Sequence, residues 1–308
     1  ITQELKLKEK EWLYINFNDE RLISFTPEDF QKIIDFLEEK DYKKKCFLLI
    51  DEIQEVDYWE KWVDRVKEKF PIIITGSNSK LLSKEISTIL TGRSISVGLY
   101  PFSFREFLSF HKYDFTKEDF YITERRALML KLFSEYLIKG GFPEYLKYGQ
   151  TEILQEYFND IIQKDVVERY KVKNIKQLKE LARYLITNSG NPTTYNQLKK
   201  LTEVKSVNTA INYVSFLENG YLLLKISYFS YSLRKQIANP FKVYATDTGL
   251  RSAISFKVGK EFGRIYETVV AIELKRKGIE SYYWKNYQHE EVDFVIRTNE
   301  LERVLEAC

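Results

Sequence analysis

Between residues 12 and 79, short apolar runs alternate with amphipathic helical segments, and this alternation constrains the fold more than any other feature. "WLYINF" (12–17), "CFLLID" (46–51) and "PIIITGSNS" (71–79) read as strands, and "SISVGLY" (94–100) reads as a fourth. Strands with near-continuous apolar runs are buried on both faces, and helices between them supply the crossovers that parallel strands need. "TPEDFQKIIDFLEEK" (26–40) is such a helix, with Thr26 as N-cap and Pro27 in its first position. "YWEKWVDRVKEKF" (58–70) sets Trp59, Trp62, Val63 and Val66 on one face, and "SKLLSKEISTIL" (79–90) is a third helix.

The second strand runs straight into two carboxylates, Asp51 and Glu52, in "FLLIDEIQ" (47–54). An Asp at the end of a buried strand can hold Mg²⁺, commonly through water, and a following Glu can polarise an attacking water. An acidic turn after a strand is the simpler alternative. Thr75, Ser77 and Asn78 close the next strand, where Asn78 can stand beside a γ-phosphate; equally, Ser79 can cap the following helix. In "LTGRS" (90–94), Arg93 can reach a phosphate in its own or a neighbouring subunit, or lie on a surface loop. The chain contains no G-x-x-x-x-G-K-[ST], and its first glycine is Gly76.

The remaining segments change character. Residues 104–187 are helical, with breaks at Gly140-Gly141 and Pro143. Helices over 175–187, 194–202 and 206–219 precede two strand-like pieces, "YLLLKISYF" and "KVYATD", which is the winged-helix order. A helix over about 261–277 then leads to "SYYWKN", "EVDFVI" and "RVLEAC". The bulk numbers fit several domains: 308 residues, 44% hydrophobic and 30% charged. No apolar run approaches the roughly 20 residues that span a membrane. Two unpatterned cysteines, Cys46 and Cys308, suit a reducing cytoplasm, and two histidines are too few for a His-based metal site. A net charge of +3 does not by itself imply nucleic acid. The abundance of Lys, Glu, Ile, Tyr and Phe leans toward a thermophile or an AT-rich genome.

"FLLIDEIQ", "IIITGSNSKLLS", "LTGRS" and "LYPFSFREFL", in that order, resemble the archaeal and bacterial AAA+ ATPases that join a P-loop core to a winged helix and a C-terminal restriction-endonuclease-like domain. "GGFPEYL" (140–146) resembles their lid signature, and "IYETVVAIELKRKG", "YYWKN" and "EVDFVI" (265–296) resemble the C-terminal domain. The resemblance implies an α/β multidomain chain: an incomplete ATPase core over 1–103, a helical lid over 104–174, a winged helix over 175–250, and a C-terminally incomplete nuclease-like domain over 251–308. It places the phosphate-binding loop upstream of Ile1, so about 30 to 50 N-terminal residues are expected before it.

The same resemblance implies ATP and Mg²⁺ as cofactors. Asp51 would hold the metal, Glu52 activate water, Asn78 sense the γ-phosphate and Arg93 complete the site. In the nuclease-like block it nominates Glu267, Asp293 and Glu306, with Cys308 where the nuclease pattern has lysine. Cysteine supplies no ammonium, and His289 beside this strand reads as a loop residue. No acid lies between Glu218 and Asp247, and there Lys225, Arg234, Lys235 and Lys242 alternate with aromatics, a composition suited to nucleic acid or to ordinary packing and solvation. The helix "SVNTAINYVSFLENG" has no Lys or Arg, which weighs against sequence-specific reading. Three functions follow as expectations: an ATPase coupled to double-stranded DNA, possible as a homo-oligomer; a non-enzymatic DNA- or protein-binding module with a decayed nuclease; or a Mg²⁺-dependent nuclease.

Overall fold

Phe47–Asp51 (β2) is the middle strand of a parallel sheet, flanked by Trp12–Asn16 (β1) and Ile72–Ile74 (β3) in the order β1-β2-β3. The computed structural model describes residues 2–42, 46–76, 95–255, 262–288, 290–297 and 302–305. Asn78, Arg93, His289, Glu306 and Cys308, and the expected helix over 79–90, lie outside the described residues. In-register pairing sets Asn16 beside Asp51, and the Thr75 amide donates to the Ile50 carbonyl at 2.9 Å. All three strands therefore end at the same edge.

Two helices cover this sheet. Thr26 opens the first through its amide, which donates to Asp29 Oδ2 at 2.8 Å, but the first turn, Pro27–Asp29, is a 3-10 turn and the α-helix proper is Phe30–Glu39 (α1). Trp59–Val66 (α2) buries the four residues that its spacing selects, Trp59, Trp62, Val63 and Val66. Phe30 stacks on Trp62 with ring centroids 4.6 Å apart. Burial of such side chains contributes about 1.5–3 kcal/mol each before the opposing entropy. Cys46 is part of this core, and burial pushes its thiol up to about 11.

The chain divides into two compact units, Ile1–Val97 and Gly98–Cys308. The expected strand over 94–100 is corrected: residues 95–100 form no strand, and Ile95, Val97 and Leu99 are exposed. An extended apolar run becomes a strand only where a sheet edge accepts its backbone groups, and among the described residues none pairs with it.

The second unit begins with Phe104–Phe110 (α3), Thr123–Lys139 (α4), Pro143–Tyr148 (α5) and Thr151–Asp160 (α6). A π-helical stretch, Ile161–Glu168, continues α6 and buries Ile162, Val166 and Val167. Ile175–Thr187 (α7), the short strand Pro192–Thr193 (β4), Tyr195–Leu201 (α8) and Val207–Asn219 (α9) follow. Leu223–Tyr228 (β5) and Phe241–Ala245 (β6) pair antiparallel, with Leu233–Ala238 (α10) between them instead of a plain hairpin turn. Thr248–Ile254 (α11), Phe262–Arg276 (α12), Ser281–Lys285 (β7), Glu291–Arg297 (β8) and Glu302–Leu305 (β9) complete the chain.

The expected boundary at 250/251 does not separate two sheets. β4-β6-β5-β7-β8-β9 form one six-stranded sheet, joined where β5 pairs with β7 through Ser227 and Tyr228 only. Segments far apart in sequence are also tied by a buried carboxylate. Asp247 caps α11 by accepting from the Leu250 amide at 2.8 Å, and its other oxygen accepts from the Gly141 amide at 2.7 Å. A Cβ on Gly140 would fall 2.2 Å from Asp247 Oδ1, and one on Gly141 2.2 Å from the Phe102 carbonyl oxygen, so "GGFPEYL" needs its first glycine to admit the Asp247 carboxylate and its second to let the backbone approach Phe102.

Candidate functional site

Asp51 sits at the carboxyl edge of the parallel sheet, where open α/β sheets place their ligands. Its two oxygens are engaged. The Tyr14 hydroxyl, from β1, donates to Oδ2 at 2.8 Å, and the Thr75 hydroxyl, just past β3, donates to Oδ1. Hydrogen bonding to the carboxylate holds the Tyr14 hydroxyl above its ordinary value. Both donors are exposed side chains that can turn aside. The carboxylate is therefore held in place but not sealed, and an all-oxygen set at a strand edge suits a hydrated Mg²⁺.

Glu52 follows in a left-handed conformation, φ 51° and ψ 42°, with its carboxylate accepting from the Gln54 side-chain amide. A non-glycine residue in this region costs about 1 kcal/mol. Ile53, fully buried beyond it, fixes the turn and leaves Glu52 beside Asp51. Thr75 was readable as the polar end of the third strand; Tyr14 was missed, although its register position two residues before Asn16, on the same strand face, and its exposure put it within reach of Asp51.

These geometries stand in a region of known kinship. Residues 1–108 match the AAA domain, and residues 130–260 match a domain of unknown function, DUF8612. An uncharacterized protein of Methanocaldococcus jannaschii, MJ1544, is 36% identical over 313 positions, which cover 97% of this chain and 68% of that protein. An uncharacterized protein of Haemophilus influenzae is 33% identical, covering 92% of this chain and 71% of its own length. The chain belongs to the family of these two proteins, and its first 108 residues carry the AAA-domain match. A further protein of similar sequence, MJ1637 of Methanocaldococcus jannaschii, is 25% identical over 295 positions, covering 86% of this chain and 61% of its own length. The AAA-domain match encloses Asp51, Glu52 and Thr75. Among the described residues no helix is long and apolar enough to cross a membrane.

In the second unit of this AAA-domain protein, Glu267 of α12 and Asp293 of β8 are brought together, but around a lysine. Lys242 Nζ lies 2.8 Å from Asp293 Oδ1, 2.5 Å from Glu291 Oε1 and 3.4 Å from Glu267 Oε2. The expected role of Lys242 in nucleic-acid contact is corrected: its side chain is 2% exposed and its ammonium is spent on carboxylates. Burial alone would depress it; hydrogen bonds to Asp293 and Glu291 and the charge of Glu267 outweigh that and hold it above the usual lysine range. Burial raises Glu267, against the opposing pull of Lys242, and the Tyr244 hydroxyl donates to its Oε2 at 2.8 Å. Glu291 was missed by sequence reading, yet strand alternation places it on the same face of β8 as Asp293, as it pairs Lys242 with Tyr244 on β6.

The other basic candidates divide. Lys225 is half-buried, bonded to the Tyr195 hydroxyl at 2.9 Å and 5.0 Å from the centroid of Phe241. Arg234 and Lys235 are exposed on α10, beside Tyr231, Leu233 and Ile237, which are exposed too.

Proposed function

We propose that this protein is an ATPase of the AAA type whose nucleotide site includes Asp51 and Glu52, and that its work is coupled to duplex DNA. The observation that carries the ATPase reading is the adjacent Asp51–Glu52 pair at the carboxyl edge of a parallel sheet, inside the region matching the AAA domain. Mg²⁺ bound with the nucleotide would supply positive charge against that developing on the phosphates. Asp51 would hold that cation through water, with Thr75 aligning the carboxylate and Tyr14 sharing its other oxygen with the cation. Glu52, presented by its left-handed turn, would orient the attacking water. Asn78 and Arg93 keep the roles of γ-phosphate sensor and phosphate-contacting arginine in this reading.

The DNA reading is supported by the acid-free stretch between Glu218 and Asp247 and by the exposed Arg234 and Lys235. The order α7, β4, α8, α9, β5, β6 supports a winged-helix arrangement in which α10 stands in the wing. ATP hydrolysis by the full-length protein, with and without duplex DNA, tests both parts. Turnover stimulated by DNA, with stimulation reduced by Arg234→Glu and Lys235→Glu, is the expected result. No turnover in the full-length protein overturns the ATPase reading. Turnover indifferent to DNA, with no salt-dependent DNA binding, overturns the coupling.

A further inference from the structure

A carboxylate pair nominated for a divalent metal can hold one only if its oxygens face a vacant, cation-sized centre. Here that centre is filled by protein. Among the described residues, no three acidic, histidine or cysteine groups are arranged to take a metal ion. Instead Glu267, Glu291 and Asp293 converge on Lys242 Nζ, whose three N–H groups match the three carboxylates. The ammonium also lies 5.5 Å from the centroid of Tyr283, and Lys285 takes the second oxygen of Glu291 at 2.8 Å.

Sheet order makes this contact informative. β6 and β8 are separated by β5 and β7, three spacings or about 14 Å on a flat sheet. A lysine and an aspartate cannot bridge that span, so the sheet curves enough between β6 and β8 to bring them together. Tyr283 strengthens the same closure, its hydroxyl donating to the Pro240 carbonyl at 2.7 Å, just before β6.

We propose that Lys242 is a built-in cation: its ammonium occupies the place of a divalent metal among Glu267, Glu291 and Asp293, clamping β6 to α12 and β8 and keeping the site metal-free. The carboxylates thus serve the closure of the sheet, and a phosphodiester-cleaving metal centre is not assembled on them. Removal of the ammonium leaves three inward carboxylates without their shared partner, a set that a hard cation would then neutralise.

Mn²⁺ binding to nucleotide-free protein, counted by electron paramagnetic resonance, tests this in the wild type, Asp293→Asn, Lys242→Ala and the double variant. Asp293→Asn should leave the wild-type count unchanged, and Lys242→Ala should gain one site per chain that the double variant lacks. Should Lys242→Ala fold only when Mn²⁺ is added, with the midpoint rising as Mn²⁺ is raised, the proposal is equally supported. If Lys242→Ala does not fold under either condition, the Asp293→Asn count decides. Loss of a wild-type Mn²⁺ site in Asp293→Asn overturns the proposal, because metal and lysine would then share the cluster. A folded Lys242→Ala that gains no site overturns it as well.

Discussion

The Tyr14 hydroxyl and the Asp51 carboxylate are joined at 2.8 Å across adjacent parallel strands, on the carboxyl edge of the sheet. A metal-binding role for Asp51 must therefore share this oxygen with the tyrosine or displace it. Tyr14→Phe removes a competitor worth about 1 kcal/mol. The Mg²⁺ concentration giving half-maximal nucleotide binding should fall by roughly five-fold, as read by fluorescence of a labelled ATP. An increase instead would assign Tyr14 to holding the carboxylate in its productive orientation.

Glu52 combines backbone strain with the proposed chemistry. Glu52→Gln in a polypeptide that hydrolyses ATP should retain nucleotide binding and lose turnover by about 10² or more. Glu52→Gly should lose turnover too, while stabilising the first unit by up to about 1 kcal/mol in urea unfolding, because glycine accepts the left-handed conformation without penalty. Unchanged turnover in Glu52→Gln would remove this residue from the mechanism.

Asp247 gives a pH dependence of definite sign. Its complete burial raises its pKa from 3.8 to about 6, against the backbone N–H groups of Gly141, Leu250 and Gly249, which lower it. The folded state thus binds the proton more tightly than the unfolded state does. Its contribution is fully present below the unfolded pKa and is lost as pH rises through about 6. The stability difference between wild type and Asp247→Asn should shift against the wild type by on the order of 2–3 kcal/mol from pH 3.5 to 7. A difference that is flat in pH would show that the amides hold the carboxylate ionised throughout.

Two glycines in helices should respond oppositely to alanine. A Cβ on Gly249 would lie 2.0 Å from the Lys139 carbonyl oxygen, a backbone atom with no freedom to move aside, whereas one on Gly263 meets nothing within 4 Å. Gly249→Ala should destabilise by about 3 kcal/mol and Gly263→Ala should stabilise by up to about 1 kcal/mol, measured by denaturant midpoints.

Local pattern carried much of what was legible beforehand. The strand–helix alternation of the first unit, the buried face of α2 and the position of Asp51 at a strand end all follow from periodicity and composition, because they depend on neighbours within a few residues. The run at 95–100 had the same local signature yet forms no strand, since strand formation also needs a partner edge. Nothing local predicted α10 between β5 and β6, where the sequence reads as a simple hairpin.

The sequence by itself determined the parallel sheet and the carboxylate pair Asp51–Glu52, and its resemblance to a known family nominated Glu267 and Asp293 as neighbours. Only the tertiary structure decided what stands between those two. Lys242, 25 residues from Glu267 and 51 from Asp293, was read as a surface base because its neighbours in sequence are basic and aromatic. Curvature of the sheet between β6 and β8 took it into the interior, where a charge persists only with opposite charges around it, and so fixed its partners.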